Sequence, residues 1–347
     1  MNFHSMTIKS PLFINKGDKI KCLACRHGCI IDKGKTGFCG VRVNDGGVGV
    51  VPYGYVSSLN IDPIEKKPLY HFLPGHFTLS FGMLGCNFRC LYCQNYEISQ
   101  ILNLKEKIIY IKEISPPDFL NILSSNNLDI IVSTYNEPTI TVEWAKDIFE
   151  LAKKKNPKIK TGFVSNGYIT KQAFDYIKNF LDFIKIDFKS FNKEKFNHLC
   201  GANLDFLIDS IEMICKNKIH VEFVTLIVEG FNDSIDEIEK MADFIKKLSP
   251  DIPWHLTKFH PDYKMNEIKE TNPVLIEKLI EKAKEKGLNY VYGGNYNTKN
   301  SSTFCPKCKA ILIKRGYMSL IENNLFIKDG KGFCPECGFE IYGVWEK

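Results

Sequence analysis

The chain has 347 residues, enough for one large domain with one or two small appendages. Its hydrophobic content of 44%, charged content of 25% and net charge of +6 are those of an ordinary globular protein, and they argue against a dedicated nucleic-acid or membrane surface. No apolar stretch approaches the roughly 18–20 residues that span a bilayer, and residues 1–9 lack the apolar core of a signal peptide, so we expect a cytoplasmic protein without a membrane partner.

Thirteen cysteines are many for such a chain, and eleven of them fall into three groups with the close spacing of metal ligands. Secreted disulfide scaffolds are usually much shorter chains. The remaining two, Cys200 and Cys215, are isolated, and we interpret them as buried small apolar residues. The cysteines therefore predict three metal sites rather than a disulfide framework.

The first predicted segment, residues 1–75, carries Cys22, Cys25, Cys29 and Cys39 among several glycines. Four thiolates within eighteen residues favour a closed tetrahedral site for zinc or a single iron. A second iron–sulfur cluster is an alternative, because four cysteines also hold clusters, and so is a redox dithiol. We predict an N-terminal four-cysteine metal subdomain here.

Two further stretches complete this segment. The alternating run from Val50 to Leu59 predicts a strand that pairs back onto the N-terminal subdomain. Residues Asp62–Gly75 are rich in proline and mixed charge, which predicts an extended connector.

The spacing of Cys86, Cys90 and Cys93 is Cys-x3-Cys-x2-Cys, directly after an apolar run. Three thiolates are too few for a closed zinc site, which usually takes four protein ligands. They suit a four-iron cluster in which three irons are anchored and one is left open. A zinc knuckle with a distant fourth ligand, or three unrelated core cysteines, are the alternatives.

Residues 76–300 form the second predicted segment, in which short apolar runs alternate with helical stretches. In residues 233–248 apolar side chains recur every three or four positions after a capping box of Ser234 and Glu237. A second helix is predicted over Val274–Lys286, between Pro273 and Gly287. The predicted strands are Thr78–Leu84, Ile130–Tyr135, Thr161–Ser165, Phe183–Phe188, Val221–Val228, Pro253–Phe259 and Tyr290–Gly293.

This alternation predicts an α/β fold with a parallel sheet and right-handed crossovers, curved into an open, partial barrel. Chemistry in such folds gathers at the C-terminal ends of the strands. Polar residues stand there: Glu137, the Ser165–Asn166 pair, and Asp187 with Lys189 on one face of their strand. After the sixth strand His255, His260 and Asp262 could position substrate or relay protons, although a structural role for either histidine is equally open.

The third predicted segment, residues 301–347, pairs Cys305-x2-Cys308 with Cys334-x2-Cys337 across a hairpin-like stretch from Ala310 to Ile327. Two such knuckles predict a C-terminal zinc ribbon, with iron as the alternative metal. Because a ribbon of this size buries little apolar surface, the metal would supply its folding energy.

Together these residues resemble a known family. The spacing of Cys86, Cys90 and Cys93, with Tyr92 before the third cysteine, resembles the signature of the radical S-adenosylmethionine (SAM) enzymes. The string from Asp62 to Phe72 is similar to that of AmmeMemoRadiSam-system radical SAM enzymes, which are related to pyruvate formate-lyase activating enzymes. One departure is Arg26, where that branch is expected to have proline.

The resemblance implies a partial (βα)6 TIM-like barrel, a [4Fe–4S] cluster on Cys86, Cys90 and Cys93, and SAM on the open iron. Reductive cleavage of SAM would yield a 5′-deoxyadenosyl radical that removes hydrogen from a substrate. Asp187, Lys189 and His260 are the predicted catalytic residues. The residues implied to bind the cofactors, besides the three cysteines, are Tyr92, Asn136, Glu137, Ser165, Asn166, Asp187 and Lys189.

The implied partners are an electron donor of the flavodoxin or ferredoxin type and Memo-like and AMMECR-type proteins. Two other functions stay open: a glycyl-radical-enzyme activase, and a zinc-ribbon protein that binds or modifies RNA or protein. The modest net charge disfavours nucleic acid. The substrate, the two four-cysteine metals, the fate of SAM and the oligomeric state do not follow from the sequence.

Overall fold

A computed structural model describes residues 6–102 and 110–346. The parts of the predicted segments that fall on residues 1–5, 103–109 and 347 lie outside it. At the centre is an open eight-stranded sheet in which seven neighbouring strands run parallel. In chain order these seven core strands are Phe77–Gly82, Ile130–Ser133, Lys160–Ser165, Phe183–Asp187, His220–Ile227, Trp254–Lys258 and Val291–Gly294. Each is one of the predicted strands, so the predicted α/β class with a parallel sheet is confirmed.

Helices connect the core strands and cover the sheet. The described part of the chain contains no helix long and apolar enough to cross a membrane. The α-helices are Tyr96–Ser99, Pro116–Ser125, Val142–Lys155, Lys171–Ile177, Lys193–Cys200, Leu204–Cys215, Ile235–Leu248 and Pro273–Glu285, with short 3-10 turns at Ile64–Lys66, Pro138–Thr141, Lys178–Phe180, Tyr263–Met265 and Lys299–Ser301.

The two predicted helices form with the expected ends. Ser234 accepts a hydrogen bond from the backbone N–H of Glu237, and Gly287 has the positive φ of a helix-ending glycine. The predicted capping box is only half formed, however. The Glu237 carboxylate accepts from the backbone N–H of Phe191 (2.9 Å) and from the Ser190 hydroxyl. The carboxylate therefore fixes a neighbouring loop instead of its own helix start.

The N-terminal subdomain consists of two small antiparallel sheets. It is held to the core by Arg42, whose buried guanidinium lies 2.8 Å from the carboxylate of Glu143 on helix Val142–Lys155. Its strands are Thr7–Lys9, Phe13–Lys16, Lys19–Cys22, Ile30–Asp32, Val43–Asp45 and Val48–Pro52; Tyr55–Val56 pairs with Lys112–Glu113.

The predicted strand Val50–Leu59 is confirmed in its first part and wrong in its extent. Strand Val48–Pro52 pairs with Thr7–Lys9 and Val43–Asp45 of the N-terminal subdomain, as expected. The rest of the run leads into a separate strand, Ser58–Pro63, that pairs antiparallel with core strand Phe77–Gly82 and becomes the edge of the central sheet. The alternating pattern identifies extended backbone but carries no information about which distant strand it joins.

The connector Asp62–Gly75 is more than the extended connector that its composition predicts. Its apolar side chains, among them Ile64, Leu69 and Phe72, are completely buried. It lies between the central sheet and the C-terminal ribbon, since the Leu73 N–H donates to the Val344 carbonyl at 2.8 Å. The connector is thus part of the core that joins the two predicted segments.

The C-terminal ribbon contains the predicted hairpin, in which Ile311–Gly316 pairs antiparallel with Ser319–Asn323. The guanidinium of Arg315 on this hairpin lies 4.3 Å from the centre of the Tyr70 ring and donates a hydrogen bond to the Tyr70 carbonyl at 2.5 Å. The other ribbon strands are Thr303–Phe304, Phe326–Lys328, Lys331–Phe333 and Glu340–Ile341.

A buried histidine of the connector, His71, predicts how the unfolding free energy depends on pH. His71 is fully buried, with Nδ1 2.5 Å from the Tyr342 carbonyl and Nε2 2.6 Å from the Tyr292 hydroxyl. Since a carbonyl only accepts, Nδ1 carries the proton of a neutral ring. Burial lowers the pKa of His71 to about 3, against the opposing effects of Glu222 and the Tyr342 carbonyl.

Because this folded pKa lies below the unfolded value of about 6.5, the unfolded state binds more protons between these pH values. We expect the unfolding free energy to fall as pH drops from about 6.5 towards 3, by up to about 1.4 kcal/mol per unit from this group. His71→Gln should reduce that slope in urea titrations at a series of pH values. His260→Gln, at a half-exposed position, is the control; an unchanged slope in His71→Gln would contradict the assignment.

Candidate active site

A cavity of about 300 Å³ opens at the C-terminal ends of the core strands. Its walls combine the loops that follow the first four core strands with side chains of the fifth and sixth. All of the residues that the sequence assigned to cofactor binding line it: Cys86, Cys90, Tyr92, Cys93, Asn136, Glu137, Ser165, Asn166, Asp187 and Lys189.

The loop that carries the three cysteines is held by backbone hydrogen bonds. The N–H groups of Arg89 and Leu91 donate to the carbonyls of Cys200 and Leu199 at 2.7 and 3.1 Å. These carbonyls belong to the last turn of helix Lys193–Cys200, where they have no partner within the helix. The helix end therefore fixes the loop between the first and third cysteines.

Two of the three thiols, those of Cys86 and Cys93, are poorly compensated by the protein alone. Burial, with Glu137 and Cys90 adding to it, raises the pKa of Cys86 well above its ordinary value. Burial raises the pKa of Cys93 to about 11. Buried thiols that face one cavity gain charge compensation from bound iron, which deprotonates coordinating thiols. The donor set thus fits the cluster that its spacing predicts.

Cys200 is a site residue that the sequence analysis missed. Its predicted burial as a small core residue is confirmed, but its Sγ also lies 3.9 Å from Sγ of Cys90. This contact, against the effect of burial, lowers the pKa of Cys90. No spacing signal connects two residues so far apart in sequence, so only the fold shows that a fourth thiol contacts the cysteine loop.

Glu137 organises the loop after the second core strand. Its carboxylate accepts from the backbone N–H groups of Thr139 (3.0 Å) and Asn166 (2.8 Å) and from the Ser165 hydroxyl (2.7 Å). Burial raises its pKa in spite of these donors. Three of its roughly four acceptor positions are used, so one is left for a ligand cation in the cavity.

Two asparagines tie the neighbouring loops together. Asn136 accepts from the Met83 N–H at 3.0 Å and donates to the Gly85 carbonyl at 3.1 Å. Asn166 donates to the side chain of Asn87 at 2.7 Å. The cysteine loop is thereby fixed to the ends of the second and third core strands, and Asn87 is another contact that the sequence did not indicate.

Asp187 lies between two lysines at the end of the fourth core strand. It forms ion pairs with Lys185 and, at 3.4 Å, with Lys189. Burial alone would raise the pKa of Asp187, but the two ammonium groups outweigh it and lower the value to about 2. Lys189 also lies over the Tyr92 ring at 5.5 Å. Asp187 is thus a carboxylate, held in the cavity wall by cations.

The two histidines lie elsewhere. His255 is fully buried and its Nε2 is 2.7 Å from the carboxylate of Glu222, so it has the structural role that was left open. His260 is half exposed, beside Asp262 at 3.3 Å, and is not among the described residues that line the cavity. The structure therefore does not bring the predicted catalytic His260 together with Asp187 and Lys189.

The cavity also has a wall that was not predicted. It is formed by an exposed lysine and a proline of the connector and by two aliphatic residues of the fifth core strand. The sixth core strand and the loop after the seventh contribute one side chain each. For Lys66 and Pro68 the only sequence signal was that the connector string resembles the family. These lining residues are Lys66, Pro68, Val224, Leu226, Thr257 and Asn295.

The two four-cysteine sets differ in geometry. The ribbon sulfurs of Cys305, Cys308, Cys334 and Cys337 lie within 4.8 Å of one another, as ligands of a single ion do. Among the residues that the structure describes, the N-terminal four do not form such a set. Their thiols are still neighbours, because burial and the charges of Cys22, Cys39 and Cys29 all raise the pKa of Cys25.

Comparison with known proteins agrees with this site. The sequence pattern of the Radical SAM superfamily matches residues 82–245. An uncharacterised protein of Methanocaldococcus jannaschii is 36% identical over 339 residues, which cover 96% of this chain and 99% of that protein. A second protein of that organism, provisionally named a glycyl-radical enzyme activating enzyme, is 30% identical over 60% of this chain and 75% of its own length.

A more distant relative is the pyruvate formate-lyase 1-activating enzyme of Escherichia coli, which is 22% identical over 63% of this chain and 91% of that enzyme. The region that matches the superfamily pattern, residues 82–245, includes the cysteine loop and most of the strand ends that surround the cavity. The chain therefore belongs to the radical SAM superfamily, and its relatives include proteins named as activating enzymes.

Proposed function

We propose that this enzyme cleaves SAM reductively at a [4Fe–4S] cluster held by Cys86, Cys90 and Cys93, and uses the 5′-deoxyadenosyl radical to remove hydrogen from a substrate. The observation that supports this most strongly is that the three thiols and every residue implied to contact SAM line one cavity. The cluster would supply the electron, while the protein supplies binding, orientation and shielding.

The residues around the cavity suit these tasks. Glu137 retains an acceptor position for the SAM ammonium group, and the backbone around Asn136 is fixed by hydrogen bonds on both sides. Lys189 and Asp187 present a cation and an anion close together, which matches the charges of an amino acid moiety. Because the ion pair and the Glu137 loop are already in place, little reorganisation would accompany binding.

The direct test is an anaerobic assay of the purified, reduced protein with SAM, in which 5′-deoxyadenosine is measured. We expect its formation with dithionite as reductant and none without reductant. A protein that carries the cluster and binds SAM but forms no 5′-deoxyadenosine would contradict the proposal.

A second candidate function is a glycyl-radical-enzyme activase, which uses the same chemistry on a glycine of a partner protein. It is favoured by the relatives named as activating enzymes. It predicts that 5′-deoxyadenosine forms in an amount that matches the glycyl radical of a partner, measured by electron paramagnetic resonance (EPR). The proposal of a radical enzyme is common to both candidates.

The finer assignment to the AmmeMemoRadiSam type is also a proposal. Its support is the connector string from Asp62 to Phe72, part of which borders the cavity at Lys66 and Pro68. This assignment implies Memo-like and AMMECR-type proteins as partners and a flavodoxin- or ferredoxin-type protein as the electron donor. We further propose zinc as the ribbon metal, since four converging thiols suit a closed zinc site.

A further inference from the structure

The N-terminal four-cysteine loop lies directly against the loop of the catalytic cysteines. A Cβ atom added to Gly85, the residue before Cys86, would be only 2.7 Å from the Cys39 carbonyl. On the same face, Nε2 of His27 is 2.7 Å from the Asn87 carbonyl. The glycine is therefore required by a close approach between segments that carry ligands of two different predicted metal sites.

Arg89 bridges the same two loops. Its guanidinium donates to the Cys86 carbonyl at 3.0 Å and to the Phe38 carbonyl, and it lies 4.1 Å from the centre of the Phe38 ring. A permanently charged group thus lies between the residues next to Cys39 and the first catalytic cysteine.

The spacing of the N-terminal thiols argues for a larger metal centre than one ion. In the ribbon of the same chain, four thiols meet within 4.8 Å, whereas the N-terminal four are not such a set among the described residues. Their segments nevertheless lie side by side, since the Cys22 N–H donates to the Cys29 carbonyl at 2.9 Å and the N–H of Phe38, the residue before Cys39, donates to the Cys29 sulfur at 3.4 Å. A cluster of several irons holds its thiolates farther apart than a single ion does, because each thiolate binds a different iron.

We propose that Cys22, Cys25, Cys29 and Cys39 hold a second iron–sulfur cluster, through which electrons reach the catalytic cluster. This rests on the proposed radical SAM function. A reduced donor protein of the flavodoxin or ferredoxin type loses one electron to the second cluster, and that electron then passes to the catalytic cluster and on to SAM. The Arg89 cation lies where it stabilises the added negative charge of either reduced cluster.

Metal analysis tests the identity of the site without any enzymatic turnover. In anaerobically reconstituted Cys90→Ala protein the catalytic cluster is removed, so we expect about half of the wild-type iron to remain. Dithionite should then give a cluster EPR signal that SAM does not change. The signal should disappear in Cys90→Ala/Cys25→Ser and persist in Cys90→Ala/Cys308→Ser, which alters the ribbon instead. Zinc in place of iron in Cys90→Ala protein, or a signal that survives Cys25→Ser, would overturn the proposal.

The electron route is tested by comparing two reductants. Dithionite is small enough to reduce the catalytic cluster directly, whereas a reduced flavodoxin must deliver electrons at the protein surface. We expect Cys25→Ser to lower the flavodoxin-driven rate of SAM cleavage at least about tenfold more than the dithionite-driven rate. An unchanged ratio of the two rates would overturn the electron route. Absence of cleavage by wild-type protein with dithionite would count against the proposed function instead, and the metal analysis would still decide the inference.

Discussion

Cys90→Ala is expected to abolish the formation of 5′-deoxyadenosine and the SAM-dependent change in the EPR signal of the reduced protein. Cys90 is the middle ligand of the loop and is buried. Cys200, whose Sγ lies 3.9 Å from that of Cys90, is not among the described residues that line the cavity, and it ends a helix whose carbonyls already hold the loop. With only two anchoring thiolates the cluster would not assemble.

The matched control is Cys215→Ala. Cys215 is a partly buried cysteine outside the three cysteine groups, so its predicted burial holds only in part. It lies at the end of helix Leu204–Cys215 and is not among the described residues that line the cavity. We expect it to retain its SAM-dependent signal and its rate of SAM cleavage within about twofold. If Cys90→Ala still produced 5′-deoxyadenosine at a comparable rate, the three cysteines would not be the cluster site.

The cysteine loop could be predicted because its signal is local. Three ligands within eight residues define a site whatever the surrounding fold does. The cavity-lining residues could be predicted for a different reason. Ser165 and Asp187 each end a parallel strand, Glu137 lies in the loop after another, and parallel strands bring their C-terminal ends to one edge. Because the strands of the sheet are parallel, residues that are far apart in the sequence could be predicted to be neighbours.

The parts that could not be predicted depend on contacts between segments without a regular relation. Composition predicts only an extended connector over Asp62–Gly75, because its proline and charge content are typical of loops. Its burial is set by the ribbon and the sheet on either side. The contact of Cys200 with Cys90, and the position of Arg89 between two cysteine loops, likewise depend on how loops pack.

The histidines show the same limit on a smaller scale. The sequence places His255 and His260 near the end of one strand, where either could act on a substrate. The structure buries His255 against Glu222 and leaves His260 half exposed. The alternation of side chains predicts on which face of the strand a residue lies. It does not predict at which position along the strand the cavity begins. His255, three positions before the strand ends, is not among the described residues that line the cavity, whereas Thr257, two positions further along, does line it.

The second large effect is expected from Glu222→Gln. This carboxylate is completely buried in the fifth core strand and accepts four hydrogen bonds. The backbone N–H groups of Tyr70 and His71 donate at 3.0 and 2.8 Å, and the ring nitrogens of His220 and His255 lie at 3.0 and 2.7 Å. Burial alone would raise its pKa, but the two histidines outweigh this and lower it, so the group is a carboxylate.

Glutamine keeps the shape of this side chain but replaces one accepting oxygen with a donating NH2 group. Two of the four donors would then face another donor in a buried site, and the negative charge that all four donors stabilise would be lost. Breaking a buried interaction of this kind costs about 3–5 kcal/mol. We expect a loss of that size in the unfolding free energy measured by urea denaturation.

Glu194→Gln, on an exposed helix surface, should change the unfolding free energy by no more than about 0.5 kcal/mol. Because Tyr70 and His71 belong to the connector that contacts the ribbon, loss of the Glu222 acceptor should also loosen the ribbon. Limited proteolysis of the Glu222→Gln protein should therefore cut first within residues 64–75 or at the ribbon boundary. An unfolding free energy equal to that of the wild type would show that the connector is held by apolar burial alone, with Glu222 as a replaceable contact.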